Sequence, residues 1–300
     1  MKILLLGKDG QVGWQLQRAL APLGELTALD ADSRDLCGDF TNLEGLRKTV
    51  QTVAPDVIVN AAAYTAVDKA ESEADLARTI NALAPAVLAQ EAKRLGVWLI
   101  HYSTDYVFDG SGNQPRLETD PVAPLNVYGA TKLAGEQAIQ SSGCQHLIFR
   151  TSWVYAARGG NFAKTMLKLA QERESLAVID DQIGAPTGAD LLADVTAHAI
   201  HMALWRPEVA GLYHLVASGQ TSWYDYASFI IDFARQAGIA IKTAPEAIRP
   251  VPTSAFPTAA KRPANSRLDT HKLRNTFDIN LPNWENGVVR ILTELLEKQA

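Results

Sequence analysis

The sequence predicts an α/β protein built on a doubly wound parallel sheet, and three observations lead there. Apolar runs at residues 3–6, 57–59, 97–100 and 147–149 show no polar alternation, as strands covered on both faces require. Stretches of helical period lie between them, so strand and helix alternate along the chain. The first run ends in a glycine-rich loop that opens directly into a helix.

At 300 residues, 47% hydrophobic and 20% charged, the chain can form one large domain or two modest ones with sizeable cores. A net charge of −5 without any Lys/Arg cluster argues against nucleic acid as the main partner, because phosphate backbones demand a concentrated basic face. Cys37 and Cys144 are far apart, which fits a reducing compartment and gives no metal-ligand spacing. The opening apolar run stops at Gly7-Lys8-Asp9, too short for a signal peptide. No stretch approaches the roughly eighteen apolar residues that span a bilayer. The expectation is a cytoplasmic protein with no membrane role.

Residues 2 to 7 form the first strand. Gly7-Lys8-Asp9-Gly10-Gln11-Val12-Gly13 follows, and then Val12, Leu16, Ala19 and Leu20 fall on one helical face until Pro22 and Gly24. Backbone without side chains lets a pyrophosphate approach, and a helix N-terminus supplies N–H donors and a positive dipole end. A lone glycine triplet can be a simple tight turn, but strand, loop and helix together point to a Rossmann-type dinucleotide site. The next strand, Glu25 to Leu29, ends at Asp30. A carboxylate there accepts hydrogen bonds from a ribose diol and favours NAD over its phosphorylated form. Asp39-Phe40 follows, placed for contacts near an adenine.

An amphipathic helix over Leu43 to Val53 leads into the strand Val57 to Val59 and the turn Asn60-Ala61-Ala62-Ala63, whose small side chains leave room for a ligand. A long helix from Asp75 to Leu95 crosses to the strand Val97 to Thr104. Asp105-Tyr106-Val107-Phe108-Asp109-Gly110 then sits at another carboxyl end of the sheet, where open α/β sheets bind ligands. The Gly- and Pro-containing loop from Ser111 to Pro124 covers the cleft rim. A strand from His146 to Arg150 is expected to continue through Thr151-Ser152-Trp153-Val154-Tyr155. Beyond it the alternation loosens: helices over Phe162 to Arg173 and Asp190 to Trp205, strands over Leu176 to Ile179 and Tyr213 to Ala217. Residues 1–155 are therefore expected to be the dinucleotide-binding domain and 156–300 mainly a smaller, interleaved C-terminal substrate domain, some of whose segments return to the first.

The helix beginning near Leu125-Asn126 carries Tyr128 and Lys132. Four-residue spacing stacks the two on one helix face, where an ammonium favours ionisation of a phenol. Such a tyrosine passes a proton to or from a substrate oxygen. Thr104 offers a hydroxyl beside this pair, although a strand threonine is often simply bonded to backbone.

With the glycine loop, Asn60 to Ala63, Ser103-Thr104-Asp105 and Tyr128-x-x-x-Lys132 in this order, the chain resembles the extended short-chain dehydrogenases/reductases. The strings Ser103-Thr104-Asp105-Tyr106-Val107-Phe108-Asp109-Gly110, Pro124-Leu125-Asn126-Val127-Tyr128-Gly129, Arg150-Thr151-Ser152-Trp153-Val154-Tyr155 and Asp181-Gln182-Ile183-Gly184-Ala185-Pro186-Thr187 are similar to the dTDP-4-dehydrorhamnose reductase family. The resemblance implies reduction of a dTDP-sugar C4 ketone by a reduced nicotinamide. It implies Tyr128 as proton donor, Lys132 lowering the Tyr pKa and holding the nicotinamide ribose, and Thr104 bonding the carbonyl oxygen. Gly10, Gln11 and Val12 would meet the pyrophosphate, and Asp30, Asp39, Phe40, Ala62 and Ala63 the adenosine side. Asp105, Tyr106 and Trp153 would meet the nucleotide sugar. Arg262, or Arg267 nearby, would serve its diphosphate, against the bland reading of a solvated loop arginine.

Family members use NADPH and some accept NADH. Asp30 repels a 2′-phosphate unless a cation offsets it, and Arg34 is the close candidate in sequence, so dual use with NADH preferred is the expectation. The family's magnesium-bridged homodimer would place Gln15, Asp190 and Glu294 at the metal. Gln15 supplies a neutral oxygen where a carboxylate supplies charge, so no metal is assigned. His198 and His201 lack a third ligand and read as surface or core residues. Two rivals share the motifs: a nucleotide-sugar epimerase or 4,6-dehydratase, and a non-catalytic subunit like the regulatory one of methionine adenosyltransferase. A dehydratase needs an Asp-Glu pair after the threonine, whereas this chain has Thr104-Asp105-Tyr106.

Overall fold

The computed structural model describes residues 1–297. Its first half runs β1 (Lys2–Leu6), α1 (Gln11–Leu20), β2 (Glu25–Leu29), α2 (Leu43–Val53), β3 (Val57–Asn60), α3 (Val67–Ala70), α4 (Ala74–Arg78), α5 (Ala84–Leu95), β4 (Trp98–Thr104), α6 (Val127–Ser142) and β5 (His146–Thr151). The second half runs β6 (Val154–Tyr155), α7 (Phe162–Glu172), β7 (Leu176–Ile179), β8 (Ile183–Gly184), β9 (Thr187–Gly188), α8 (Ala189–Ala203), β10 (Gly211–His214), β11 (Thr221–Ser222), α9 (Trp223–Gln236), β12 (Ile248–Val251), α10 (His271–Phe277) and α11 (Trp284–Glu297).

Six strands form one parallel sheet in the order β10-β5-β4-β3-β1-β2. The unbroken apolar runs follow from this arrangement. Ile3 and Leu5 pack with Leu16 and Leu20 of α1 on one face, while Leu4 and Leu6 pack with Leu46 and Val50 of α2 on the other. The winding reverses at β1, between β2 and β3, and opens the crevice in which such sheets hold ligands.

The expected helix over Asp75 to Leu95 is interrupted. Thr79–Leu83 forms a π turn between α4 and α5. Pro85 has no N–H to give the Asn81 carbonyl, and a π insertion absorbs the missing bond. Asn81, fully buried there, accepts from Tyr64 N–H at 2.9 Å and donates to the Tyr64 carbonyl at 3.1 Å and to Thr131 Oγ1 at 3.2 Å. The strand expected to run through Tyr155 also differs: the chain leaves the sheet after Thr151, and Trp153 takes a left-handed φ of 49°. That turn swings β6 away to pair with β9. The expected strand over Tyr213 to Ala217 ends at His214, although Leu215 N–H still reaches Arg150 O at 2.8 Å.

The smaller half stands on three two-stranded pairs, β6 with β9, β7 with β12 and β8 with β11. Tyr226 and Ile230 of α9, Trp284 and Leu292 of α11, and Leu167 of α7 form its core. Two later segments lie on the large sheet: α8 packs on α1, where Arg18 meets Asp194 at 2.6 Å, and β10 pairs with β5. No helix among the described residues is long and apolar enough to cross a membrane.

Candidate active site

A cleft of about 810 Å³ runs along the carboxyl ends of β1, β3, β4 and β5 and is met from the other side by Trp223 of the smaller half. At one end lies the glycine loop. Gly7 adopts φ +84°, and a side chain there would strike Ala62 N at 2.6 Å. Gly13 is not in the lining; it lies beneath the loop, where a Cβ would meet Gly7 O at 1.9 Å, so only hydrogen lets α1 start this close to β1. Gly10 differs, since a Cβ there would meet nothing nearer than Gly7 O at 3.4 Å and would project into open space. These are the three requirements of a pyrophosphate cradle: a turn, close packing, and bare backbone facing the ligand. The residues fit a nicotinamide dinucleotide.

Gln11, Val12, Asp30, Asp39, Phe40, Ala62 and Ala63 all line the same cleft. Asp30 is held by Ser33, whose Oγ accepts from Asp30 N–H and donates to Oδ1, both at 3.0 Å. Its carboxyl lies below the usual range, first through a hydrogen bond from Asp9 and with Lys8 contributing. Arg34, the cation expected to matter, is exposed and does not line the cleft; Lys8 is the cation that acts on Asp30.

The chemical end is built by β4 and α6. Asn126 caps α6, its Oδ1 accepting from Gly129 N–H at 2.8 Å, which starts the helix where Tyr128 and Lys132 share a face. Lys132 Nζ donates to the Tyr102 carbonyl at 2.6 Å and lies 3.4 Å from His101 Nε2. Burial lowers its pKa to about 8, against the raising effect of Glu136. Tyr128 goes the other way. Burial raises its phenol to about 12, partly offset by a bond with the Thr104 hydroxyl. The lowering of the Tyr128 pKa by Lys132 expected from sequence is not found: desolvation dominates, and the Lys132 ammonium is turned to a backbone carbonyl.

Thr104 Oγ1 donates to Asp105 Oδ1 at 3.1 Å and accepts from Tyr106 N–H at 3.1 Å. Asp105 is buried, which raises its carboxyl to about 6. Its Oδ2, with Ser103 Oγ and Thr151 Oγ1, is a buried polar atom without a hydrogen-bond partner among the described residues, and all three side chains line the cleft. Buried orphans of this kind cost stability unless a ligand satisfies them. Tyr106 packs edge-on to Tyr128 with centroids 5.5 Å apart.

Trp153 stacks on Trp223, with centroids 3.5 Å apart and planes 13° from parallel. Sequence reasoning missed Trp223, Asn81 and Asp9. Trp223 begins a helix capped by Ser222, which marks the helix but not the distant tryptophan it meets. Arg262 stands outside the lining, where Nη2 donates to Asp68 Oδ2 at 2.6 Å behind Tyr106. Arg267 is bonded to Gln220 and Asn265.

The residues at the metal positions do not fit a hard divalent cation. Asp190 Oδ1 accepts from Leu191 N–H, its Oδ2 faces the Arg290 guanidinium at 3.5 Å, Gln15 is neutral, and Glu294 is exposed. His198 Nε2 donates to the Phe277 carbonyl at 2.9 Å, and His201 is exposed.

Comparison with known proteins adds three findings. Residues 1–297 match the family described as the RmlD substrate binding domain. The chain is 62% identical to dTDP-4-dehydrorhamnose reductase of Escherichia coli K12, over 100% of both chains. Among solved structures it resembles dTDP-4-dehydrorhamnose reductases of Clostridium acetobutylicum (TM-score 0.87, 36% identity, covering 99% of this chain and 100% of that one) and of Bacillus anthracis in complex with NADP (TM-score 0.86, 36% identity, 98% and 99%).

Proposed function

The chain belongs to the RmlD substrate-binding-domain family, with dTDP-4-dehydrorhamnose reductases as its relatives, and from that membership we propose how its residues perform the reduction. The reaction converts the C4 ketone of dTDP-4-dehydro-L-rhamnose (dTDP-6-deoxy-L-lyxo-4-hexulose) to the alcohol of dTDP-L-rhamnose, the last step of dTDP-rhamnose biosynthesis. NADPH or NADH, bound along the glycine loop, supplies the hydride to C4.

The observation that supports the assignment is a half-buried Tyr128, its phenol pushed up to about 12 by desolvation, in the same cleft as the dinucleotide cradle. As the carbonyl oxygen gains electrons it takes the Tyr128 proton, and the Thr104 hydroxyl turns its proton from Asp105 Oδ1 to that oxygen. Lys132, one helical turn away and anchored on Tyr102, steadies the phenolate left behind and holds the nicotinamide ribose. Asp105 Oδ2, without a hydrogen-bond partner among the described residues, accepts from a sugar hydroxyl. Trp153 and Tyr106 shape the sugar's pocket, and Arg262 swings from Asp68 to the diphosphate.

The dehydratase alternative needs a base where Tyr106 stands. Burial, with the Asp105 charge added, raises that phenol above its ordinary value, so it carries no negative charge near neutrality. A cytoplasmic homodimer acting on soluble nucleotide sugars completes the reading.

The test is oxidation of NADPH and of NADH in the presence of the 4-keto sugar, with Tyr128→Phe alongside. Turnover should fall by roughly two orders of magnitude or more in the variant. Retained turnover would remove Tyr128 as the acid. No wild-type turnover with either cofactor would overturn the substrate assignment.

A further inference from the structure

The glycine loop and the end of β2 are pinned together at one carbonyl: Gly7 and Lys8 N–H donate to Leu29 O at 2.8 and 3.1 Å. This closure brings Asp9 beside Asp30, and both line the cleft. Each acid acts on the other, which raises the Asp9 carboxyl and lowers that of Asp30. Asp9 is gripped from outside by Arg158, whose Nη2 donates to Oδ1 at 3.0 Å and whose Nε donates to the Asp9 carbonyl at 3.3 Å. The guanidinium is itself braced over Trp14, 4.1 Å from the ring centroid.

Building on the assignment of this cleft to a nicotinamide dinucleotide, we propose that Asp9 is a second specificity-determining residue for the cofactor. It acts with Asp30 to disfavour the 2′-phosphate of NADPH, and Arg158 sets the strength of that selection by neutralising part of the Asp9 charge. A ribose diol is neutral and brings donors to meet carboxylates. A phosphate monoester brings close to two negative charges and only acceptors. Asp30 alone faces it with one carboxylate, whereas once both acids are ionised the loop closure presents two. Lys8 is the cation that acts on both acids, and Arg158 acts on Asp9, so the balance depends on side chains outside the strand-end position that a sequence motif identifies.

The test is titration of NADH and of NADPH onto the full-length protein by nicotinamide fluorescence, without sugar. Asp9→Asn should bind NADPH roughly five- to tenfold more tightly than wild type while NADH affinity stays within about twofold, and the gain should shrink in high salt. Asp9→Glu should keep the wild-type ratio. Arg158→Gln should move the ratio a few-fold toward NADH, since Asp9 then loses its counter-ion. An unchanged ratio of the two affinities in Asp9→Asn overturns the inference and leaves the cofactor assignment standing. Wild type that binds neither dinucleotide overturns both.

Discussion

At the scale of single residues, desolvation decides the chemistry. Lys132 and Asp105 are buried and Tyr128 is half-buried, and in each case desolvation is the largest influence, favouring the neutral form. For Tyr128 that outcome suits the acid role proposed for it, because a proton donor must hold its proton until the alkoxide forms. For Asp105 it has a thermodynamic consequence. Its carboxyl is raised to about 6, so between about pH 4 and 6 the native state keeps a proton that the unfolded chain has released. The contribution of Asp105 to stability therefore falls as pH rises through that window, and the cost is fully present above it. Asp105→Asn removes this cost. The stability difference, variant minus wild type, should grow by up to about 3 kcal/mol between pH 4 and pH 7, from two pH units at about 1.4 kcal/mol each. Thermal or denaturant unfolding at the two pH values measures it, and a constant difference would show that Asp105 titrates normally.

At the scale of elements, the glycines of the β1–α1 loop have separable tasks. Gly13→Ala drives a Cβ into the Gly7 carbonyl, a backbone atom that cannot rotate away. It should cost at least 2 kcal/mol, on the order seen for overpacked sites, and weaken dinucleotide binding as a result. Gly10→Ala meets only one ordinary contact in the protein and has φ −68°, which alanine adopts freely. Its melting temperature should stay within a few degrees of wild type while cofactor KM rises about tenfold or more, because the new methyl would stand at the proposed pyrophosphate site. Equal destabilisation by the two substitutions would refute this division. The π turn is a second element-level device. It turns Asn81 toward both Tyr64 and Thr131, and Thr131 immediately precedes Lys132, so the helix defect braces the helix that carries Tyr128 and Lys132. Gly135 permits the approach, since a Cβ there would lie 2.2 Å from Asn81 O.

At the scale of the whole molecule, the two halves close on the cleft through side chains far apart in sequence: Trp153 on Trp223, Arg158 on Asp9 and Arg262 on Asp68. A buried ion pair, Arg150 with Glu136 at 2.6 Å, ties β5 to the helix that carries Tyr128. The Asp190 end of α8 has a different character from a metal site, because Arg290 already stands opposite Asp190. Chelation of divalent cations by EDTA should therefore leave the mass in solution and the melting temperature unchanged. A drop in either on chelation, reversed by magnesium, would show that Asp190 and Glu294 hold a cation despite Gln15.

The sequence by itself determined the parallel sheet, the cradle and the positions of Thr104, Tyr128 and Lys132. Those features are local: unbroken apolar runs, a glycine spacing and a helical turn are properties of neighbouring residues, and physics at that range is written in the chain. Tertiary structure alone decided the protonation of Tyr128, the pairing of Asp9 with Asp30 and Arg158, the meeting of Trp153 and Trp223, and the withdrawal of Arg262 behind Tyr106. Each depends on desolvation or on contact between segments as much as 194 residues apart, as with Arg262 and Asp68, and no pattern along the chain encodes which charge will face which.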